Sequence, residues 1–178
     1  MPFPGSGEFC PCGVEGRVSE RETYSGHGLN AIDAKGRVAI PSGLRATIEA
    51  NGNARTLVIA KHPSDPCLIG YDRGWLKQLD QRLDREEEQE RAAGRPFDYY
   101  DVNRSAYGVV EEIPYDASGR FILPPLFRNR AQMTDLAYFF GARHYFEIWN
   151  PTVLLETPGS NADARWAAAY LLAERAKV

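Results

Sequence analysis

The sequence predicts an α+β fold that is mainly β, with one structural unit present twice. A charged turn, "AIDAKGRVAIP" at residues 31–41, recurs as "PYDASGRFILP" at residues 114–124. Short apolar stretches flank both turns, as expected of strands that bury at least one face. A segment with the apolar spacing of a helix follows each copy. An internal repeat with added helices accounts for all three observations.

The repeat is defined by five residues that recur at one constant spacing of 83 positions. Farther along each copy, "CLIGYD" at residues 67–72 aligns with "YFEIWN" at residues 145–150. Glycine and proline have special backbone roles, so their recurrence in one frame indicates two copies of one unit. Five residues of the first copy recur 83 positions later, as the pairs Asp33 and Asp116, Gly36 and Gly119, Arg37 and Arg120, Pro41 and Pro124, and Arg45 and Arg128.

Each copy is predicted to contain a strand, a turn, a second strand, a helix and two further strands. In the turn "DAKG", the Asp33 carboxylate can accept backbone N–H bonds, and Gly36 can adopt positive φ without steric penalty. Asp116 and Gly119 are predicted to have the same structural role in "DASG". The helices are predicted from "PSGLRATIEANG" and "PPLFRNRA", because proline suits the first helical position. The last strands are "TLVIAK", "CLIGY", "LAYFFG" and "YFEIW".

Two longer helices complete the predicted organisation. The first has a stripe of leucines after Trp75, and its acidic "EEEQE" forms a solvated face. The last helix is predicted to begin with a capping box formed by Ser160 and Asp163. The predicted segments are a disordered extension at 1–23, a first repeat with its helix at 24–94, a second repeat at 95–157 and a C-terminal helix at 158–178.

Composition argues against several classes of function. No apolar run approaches the roughly 18 residues of a membrane span, and the N-terminus lacks a secretory apolar region. We therefore expect a cytoplasmic protein without a membrane partner. Cys10, Cys12, Cys67 and three scattered histidines show no metal-ligand spacing. The loose dinucleotide pattern "GHGLNA" precedes a strand rather than a helix. We expect no cofactor, no metal and no enzymatic activity.

The two copies carry positive charge within an otherwise acidic chain. Residues 25–61 sum to +3 and residues 116–143 to +2, whereas the whole chain is −3. Basic side chains at an exposed turn can contact DNA phosphates, and arginine can also donate two bonds to guanine. The same arginines can instead pair with the turn aspartates and stabilise the fold. The candidate DNA contacts are Lys35 and Arg37, and secondarily Arg120 and Arg45.

In order and spacing, "LNAIDAKGRVAIPSGLR", "CLIGYDRGW", "PYDASGRFILPPLFR" and "FEIWN" resemble the MraZ family of bacterial transcriptional regulators. The resemblance implies two tandem AbrB-like swapped-hairpin β-barrel units that form an internal pseudo-dimer. It further implies a ring-like, nucleoid-associated homo-oligomer that binds short direct repeats in promoter DNA. Such a protein represses the division and cell-wall gene cluster, including its own operon. The D-x-x-x-R segment would contact double-stranded DNA through Lys35 and Arg37, with Arg120 in the matching place.

The chain departs from the family pattern in three places, one of which is that "NPTVLLETP" at residues 150–158 lacks a tryptophan matching Trp75. Residues 1–23 precede the usual family start, and Ser118 occupies the position that matches Lys35. The second turn is therefore expected to bring less positive charge to DNA. The acidic helix and the Ala-rich tail favour an alternative, an AbrB- or antitoxin-like module that mainly binds a protein partner. Stoichiometric copurification of that partner without DNA would distinguish the alternative.

Overall fold

A computed structural model describes residues 21–52 and 54–177 of the chain. The described part contains eight strands and six helices. The strands are β1 (His27–Ala31), β2 (Arg37–Ala39), β3 (Thr56–Lys61), β4 (Leu68–Tyr71), β5 (Val110–Pro114), β6 (Arg120–Ile122), β7 (Leu136–Gly141) and β8 (Phe146–Trp149). The helices are α1 (Ser42–Gly52), α2 (Arg73–Ala92), α3 (Tyr99–Tyr107), α4 (Pro125–Arg130), α5 (Pro151–Glu156) and α6 (Ala162–Arg175).

The strands of the two copies pair with each other across the repeat. Six strands form an antiparallel sheet in the order β1-β7-β8-β4-β3-β5, and β2 pairs with β6 in a separate two-stranded ribbon. Exchanging the two copies reverses the six-strand order and leaves the ribbon unchanged. The first strand of each copy therefore lies beside the third strand of the other, which gives the sheet pseudo-twofold symmetry.

The mixed α+β class is confirmed, but the closed barrel implied by the resemblance is wrong. The six strands form an open sheet, and its edge strands β1 and β5 do not pair with each other in the described chain. The reason lies in the second strand of each copy. Because β2 and β6 pair with one another outside the large sheet, none of the described strands bridges its two edges.

Both faces of the four central strands, β3, β4, β7 and β8, are largely buried, which explains their continuous apolar sequences. Leu57 and Ile59 of β3 contribute to a core beneath α1, α4 and the ribbon. The alternate residues Val58 and Ala60 face the opposite side, where they pack with Trp75 of α2. On that side, α5 and α6 cover the neighbouring part of the sheet over a cluster that includes Trp149, Leu154 and three buried alanines of α6. The ribbon and the long helix α2 thus lie on opposite faces.

Matching positions of the repeat cap helices of very different length. The Asp72 side chain accepts a hydrogen bond from the Trp75 N–H at the start of α2, which has 20 residues. Asn150 similarly accepts from the Thr152 N–H at the start of α5, which has six. These polar N-caps are the residues that helices favour at this position. The sequence patterns predicted neither the short α5 nor α3.

The predicted capping box of the last helix is wrong. Asn161 is the N-cap of α6, and its side chain accepts hydrogen bonds from the N–H groups of Asp163 and Ala164. The Ser160 hydroxyl instead donates towards the carbonyls of Leu154 and Thr157. Asparagine caps a helix as well as serine does, so one residue of sequence separates the prediction from the structure.

The N-terminal end of the described chain is fixed to the folded body. The Arg21 guanidinium pairs with the buried Asp72 carboxylate, to which the Tyr24 hydroxyl also donates at 2.8 Å. The Glu22 N–H donates to the Asn51 side-chain oxygen at 2.9 Å. Residues 1–20 of the predicted extension lie outside the described residues. Among the helices that the structure describes, none is long and apolar enough to cross a membrane.

Candidate nucleic-acid interface

The first charged turn is organised around Asp33. Its Oδ1 accepts hydrogen bonds from the N–H groups of Lys35 and Arg37, both at 2.9 Å, and its Oδ2 accepts from the Arg37 Nε at 2.6 Å. The Gly36 N–H donates to the Asp33 carbonyl at 2.9 Å, and Gly36 has a φ of 79°. Only glycine adopts this φ without strain. The structure therefore contains both predicted features of the turn, the aspartate that accepts backbone N–H bonds and the glycine at positive φ.

The second turn repeats this geometry bond for bond. The Asp116 Oδ1 accepts from the N–H groups of Ser118 and Arg120 at 2.9 Å, and its Oδ2 accepts from the Arg120 Nε at 2.9 Å. Gly119 has a φ of 77°. In both turns the pKa of the aspartate is lowered. The hydrogen bond from the arginine backbone N–H is the largest cause, and the bond from the arginine guanidinium is a smaller one. Both carboxylates are therefore charged at neutral pH.

Arg37 and Arg120 have both roles that the sequence left open, a fold contact and an accessible charge. Their side chains are 48% and 55% exposed while paired with Asp33 and Asp116. Each pairing uses the side-chain Nε, and the terminal guanidinium nitrogens make no hydrogen bond within residues 21–52 and 54–177. A paired but half-exposed arginine is held in one orientation and can still donate to an anion.

The ribbon joins the two turns into one surface, which we call the ribbon face. Val38 and Phe121 point into the core, so the alternate residues of both strands point outwards. Arg37 pairs in register with Ile122, and Ala39 pairs with Arg120. Two arginines and an exposed isoleucine thus share the ribbon face. Sequence reasoning missed Ile122, which is 58% exposed, although its alternation with Phe121 could have indicated it.

Arg45 and Arg128 cross from one copy to the turn of the other. The Arg45 Nη1 donates to the Ala117 carbonyl at 3.4 Å, which places this α1 side chain against the second turn. Arg128 donates to the carbonyls of Met133 and Thr134, and its Nη1 approaches Gly36 of the first turn. The structure therefore brings Arg45 together with Arg120 rather than with Lys35 and Arg37.

The described residues contain no group of three or more histidine, cysteine, aspartate and glutamate side chains that could hold a metal ion. Cys67 is buried beneath α5 and α6, and burial raises the pKa of its thiol far above the ordinary value. Cys10 and Cys12 lie outside the described residues. The polar chemistry that the two copies share is therefore that of the charged turns.

Comparison with known proteins identifies the family. A family model described as "MraZ protein, putative antitoxin-like" matches residues 109–153, which contain β5 to β8. The transcriptional regulator MraZ of Gluconobacter oxydans is 33% identical over 137 residues, which cover 75% of this chain and 79% of that relative. The chain belongs to the MraZ family.

Other MraZ proteins show similar agreement. The transcriptional regulator MraZ of Gluconacetobacter diazotrophicus is 33% identical over 135 residues, covering 72% of this chain and 78% of the relative. That of Coxiella burnetii is 32% identical over 124 residues, covering 68% and 77%. Membership of the MraZ family confirms the resemblance seen in the repeated D-x-x-x-R segments. The contact of Lys35, Arg37, Arg120 and Arg45 with DNA stays a prediction.

Proposed function

We propose that this chain is a DNA-binding transcriptional regulator that contacts duplex DNA through the ribbon face and its two turns. The observation that carries the proposal is the ribbon itself, a two-stranded antiparallel element with an exposed basic turn at each end. The major groove of B-DNA admits such a two-stranded ribbon. Relatives that are named transcriptional regulators support this reading.

The two turns are proposed to contribute unequally. Lys35 and Arg37 give the first turn two cations, one of which is balanced by Asp33. In the second turn Ser118 takes the place of the lysine, so Arg120 and Asp116 nearly cancel. The net charge of the interface is therefore concentrated at the first turn, and we assign Lys35 and Arg37 as the principal contacts. Arg45 supports the second turn from α1.

The finer regulatory role is part of the same proposal. The strand exchange between copies supports two AbrB-like swapped units arranged as an internal pseudo-dimer. We propose a ring-like homo-oligomer in the cytoplasm that associates with the nucleoid, binds short direct repeats and represses the division and cell-wall cluster with its own operon. A chain with net charge −3 gains affinity when several ribbons engage adjacent repeats, because linked contacts raise the effective concentration.

The test is fluorescence anisotropy with a labelled fragment of the DNA upstream of the gene, compared with a scrambled fragment. We expect Arg37→Ala to weaken binding roughly tenfold or more and to reduce the slope of log affinity against log salt by about one. Arg91→Ala is the matched control, because Arg91 is also an exposed arginine paired four residues away, with Glu87 on α2. Equal affinity for both DNA fragments, or equal losses in both variants, would contradict the proposal.

A second candidate function, binding of a protein partner, is favoured by one observation. Trp166 and Tyr170 lie one turn apart on α6 and are 74% and 58% exposed. Large exposed aromatic side chains are enriched at protein interfaces. Purification of the tagged chain from its own cells with nuclease present tests this candidate. A stoichiometric partner that Trp166→Ser releases would support it, and recovery of the chain alone would contradict it.

A further inference from the structure

A second basic cluster lies on the sheet face opposite the ribbon, between α2 and the β7–β8 turn. It lines a cavity of about 690 Å³ that is open to solvent. The α2 residues of the lining recur at helical spacing, so one stripe of that helix faces the turn. The side chains that carry the argument are Trp75, Gln78, Arg82, Arg85, Arg143 and His144.

The turn that presents Arg143 is strained. Arg143 has a φ of 67°, in the left-handed region that favours glycine. The His144 N–H donates to the Ala142 carbonyl at 2.9 Å, which makes Arg143 the central residue of a γ-turn of the rare positive-φ kind. Two backbone hydrogen bonds with Tyr24, at 2.9 and 3.1 Å, hold it there. Strain of this kind concentrates at functional sites and ligand clamps.

Trp75 holds the remaining groups in fixed positions. The His144 ring stacks on the Trp75 indole with centroids 4.7 Å apart and planes 1° from parallel. The Arg82 guanidinium carbon lies 5.3 Å from the centre of the same indole. Trp75 is itself only 5% exposed, and its backbone N–H donates to the buried Asp72 carboxylate. Arg82 and His144 are therefore oriented by Trp75 before any ligand arrives.

The arginines of the cluster are not neutralised by ion pairs among the described residues. None of the salt bridges among the described residues involves Arg82, Arg85 or Arg143. Of the described residues that line the cavity, three are arginines and none carries a carboxylate. Burial, followed by the charges of Arg143 and Arg82, lowers the pKa of His144. In a chain with net charge −3, three unpaired arginines around one concavity are the arrangement that an anion would stabilise.

We propose that this cluster is a binding site for a small phosphorylated ligand of about nucleotide size. Arginine forks match the geometry of phosphate oxygens, and Gln78 supplies a neutral hydrogen-bonding group. A cavity of about 690 Å³ is in the range of small-molecule sites. DNA phosphates are the competing source of the same chemistry. The ribbon face lies on the other side of the sheet, so one duplex docked there does not enter the cavity.

The experiment titrates the full-length protein with sodium pyrophosphate by isothermal calorimetry at low salt. We expect saturable binding that Arg85→Gln and Arg143→Gly each weaken roughly tenfold or more. Arg175→Gln, which removes an exposed arginine from α6, should leave the affinity unchanged. Arg143→Gly also separates ligand binding from folding. Glycine adopts the observed φ without strain, so the melting temperature should stay the same or rise while binding is lost.

A DNA titration of the same variants distinguishes the two sources of phosphate. Arg85→Gln and Arg143→Gly should bind upstream DNA with the affinity of the parent protein. The proposal is overturned if pyrophosphate shows no saturable binding up to about 5 mM. It is also overturned if the variants bind pyrophosphate as tightly as the parent, or if they lose DNA affinity to the same extent as Arg37→Ala.

Discussion

The carboxylate of Asp33 organises its turn by accepting hydrogen bonds from two backbone N–H groups, and Asp116 does the same in the second copy. The bonds from the Arg37 and Arg120 backbones are the largest cause of the lowered pKa of the two aspartates. A folded pKa below the unfolded value means that each carboxylate stabilises the fold above the unfolded pKa of 3.8. That contribution disappears as the pH falls through the folded pKa.

The double variant Asp33→Asn/Asp116→Asn tests this linkage. We expect it to melt below the parent protein at neutral pH, because an amide can replace only part of the carboxylate's hydrogen bonding. The difference in melting temperature should shrink as the pH is lowered from about 4 through the folded pKa, where the parent loses its own carboxylates. Differential scanning calorimetry between pH 7 and pH 2 measures it. A difference that is independent of pH would show that the charge of the turns is irrelevant.

The ribbon is a short element with two distinct faces. Its inward side chains, Val38 and Phe121, are 2% exposed and attach it to the core of the large sheet. Its outward side chains are arginines, an alanine and an isoleucine, which add little to the core. A surface change on the outward face should therefore affect binding rather than folding.

Ile122→Asp tests this separation. The substitution places a negative charge in register with Arg37, where we propose that DNA phosphates lie. We expect the free energy of unfolding to stay within about 0.5 kcal/mol of the parent and the DNA affinity to fall sharply. Tyr170→Asp is the control, since Tyr170 is equally exposed at 58% and lies on α6 across the sheet. If both variants bind DNA alike at equal elution volume, the ribbon face is not the interface.

The segment before β1 stabilises the folded protein through an ion pair with a buried carboxylate. The Asp72 side chain is 1% exposed and is paired with Arg21, which is 17% exposed. Arg73 and Glu112 form a second pair, whose side chains are 54% and 39% exposed. Loss of a partner is costly only for the buried charge, because water solvates the exposed one.

We therefore expect Arg21→Ala to lower the free energy of unfolding by about 2–4 kcal/mol, given that Asp72 keeps the Tyr24 hydroxyl and the Trp75 N–H. Arg73→Ala should cost less than about 1 kcal/mol. Urea denaturation followed by circular dichroism measures both variants. Equal costs would show that the N-terminal segment does not anchor on α2.

Sequence reasoning predicted the units of this fold but not their arrangement. The repeat placed the turns, α1 and the apolar strands, because glycine, proline and alternating apolar residues have local physical causes. The strand exchange between copies was implied by the family resemblance rather than by those local patterns. The contact of Arg45 with the second turn depends on pairing between residues 72 positions apart, which no local pattern encodes. The short helices α3 and α5 and the strained turn at Arg143 were missed for the same reason.

The exchange of strands has a consequence for synthesis on the ribosome. β1 is translated well before β7, yet His27 finds its sheet partner at Phe140 in the second copy. The nascent first copy therefore cannot complete its sheet. β1 has no partner until β7 has been translated, and β2 has none until β6 has been translated. Such distant pairing slows folding and leaves apolar edges exposed meanwhile. We therefore expect the two copies to fold together in one cooperative step rather than as successive domains.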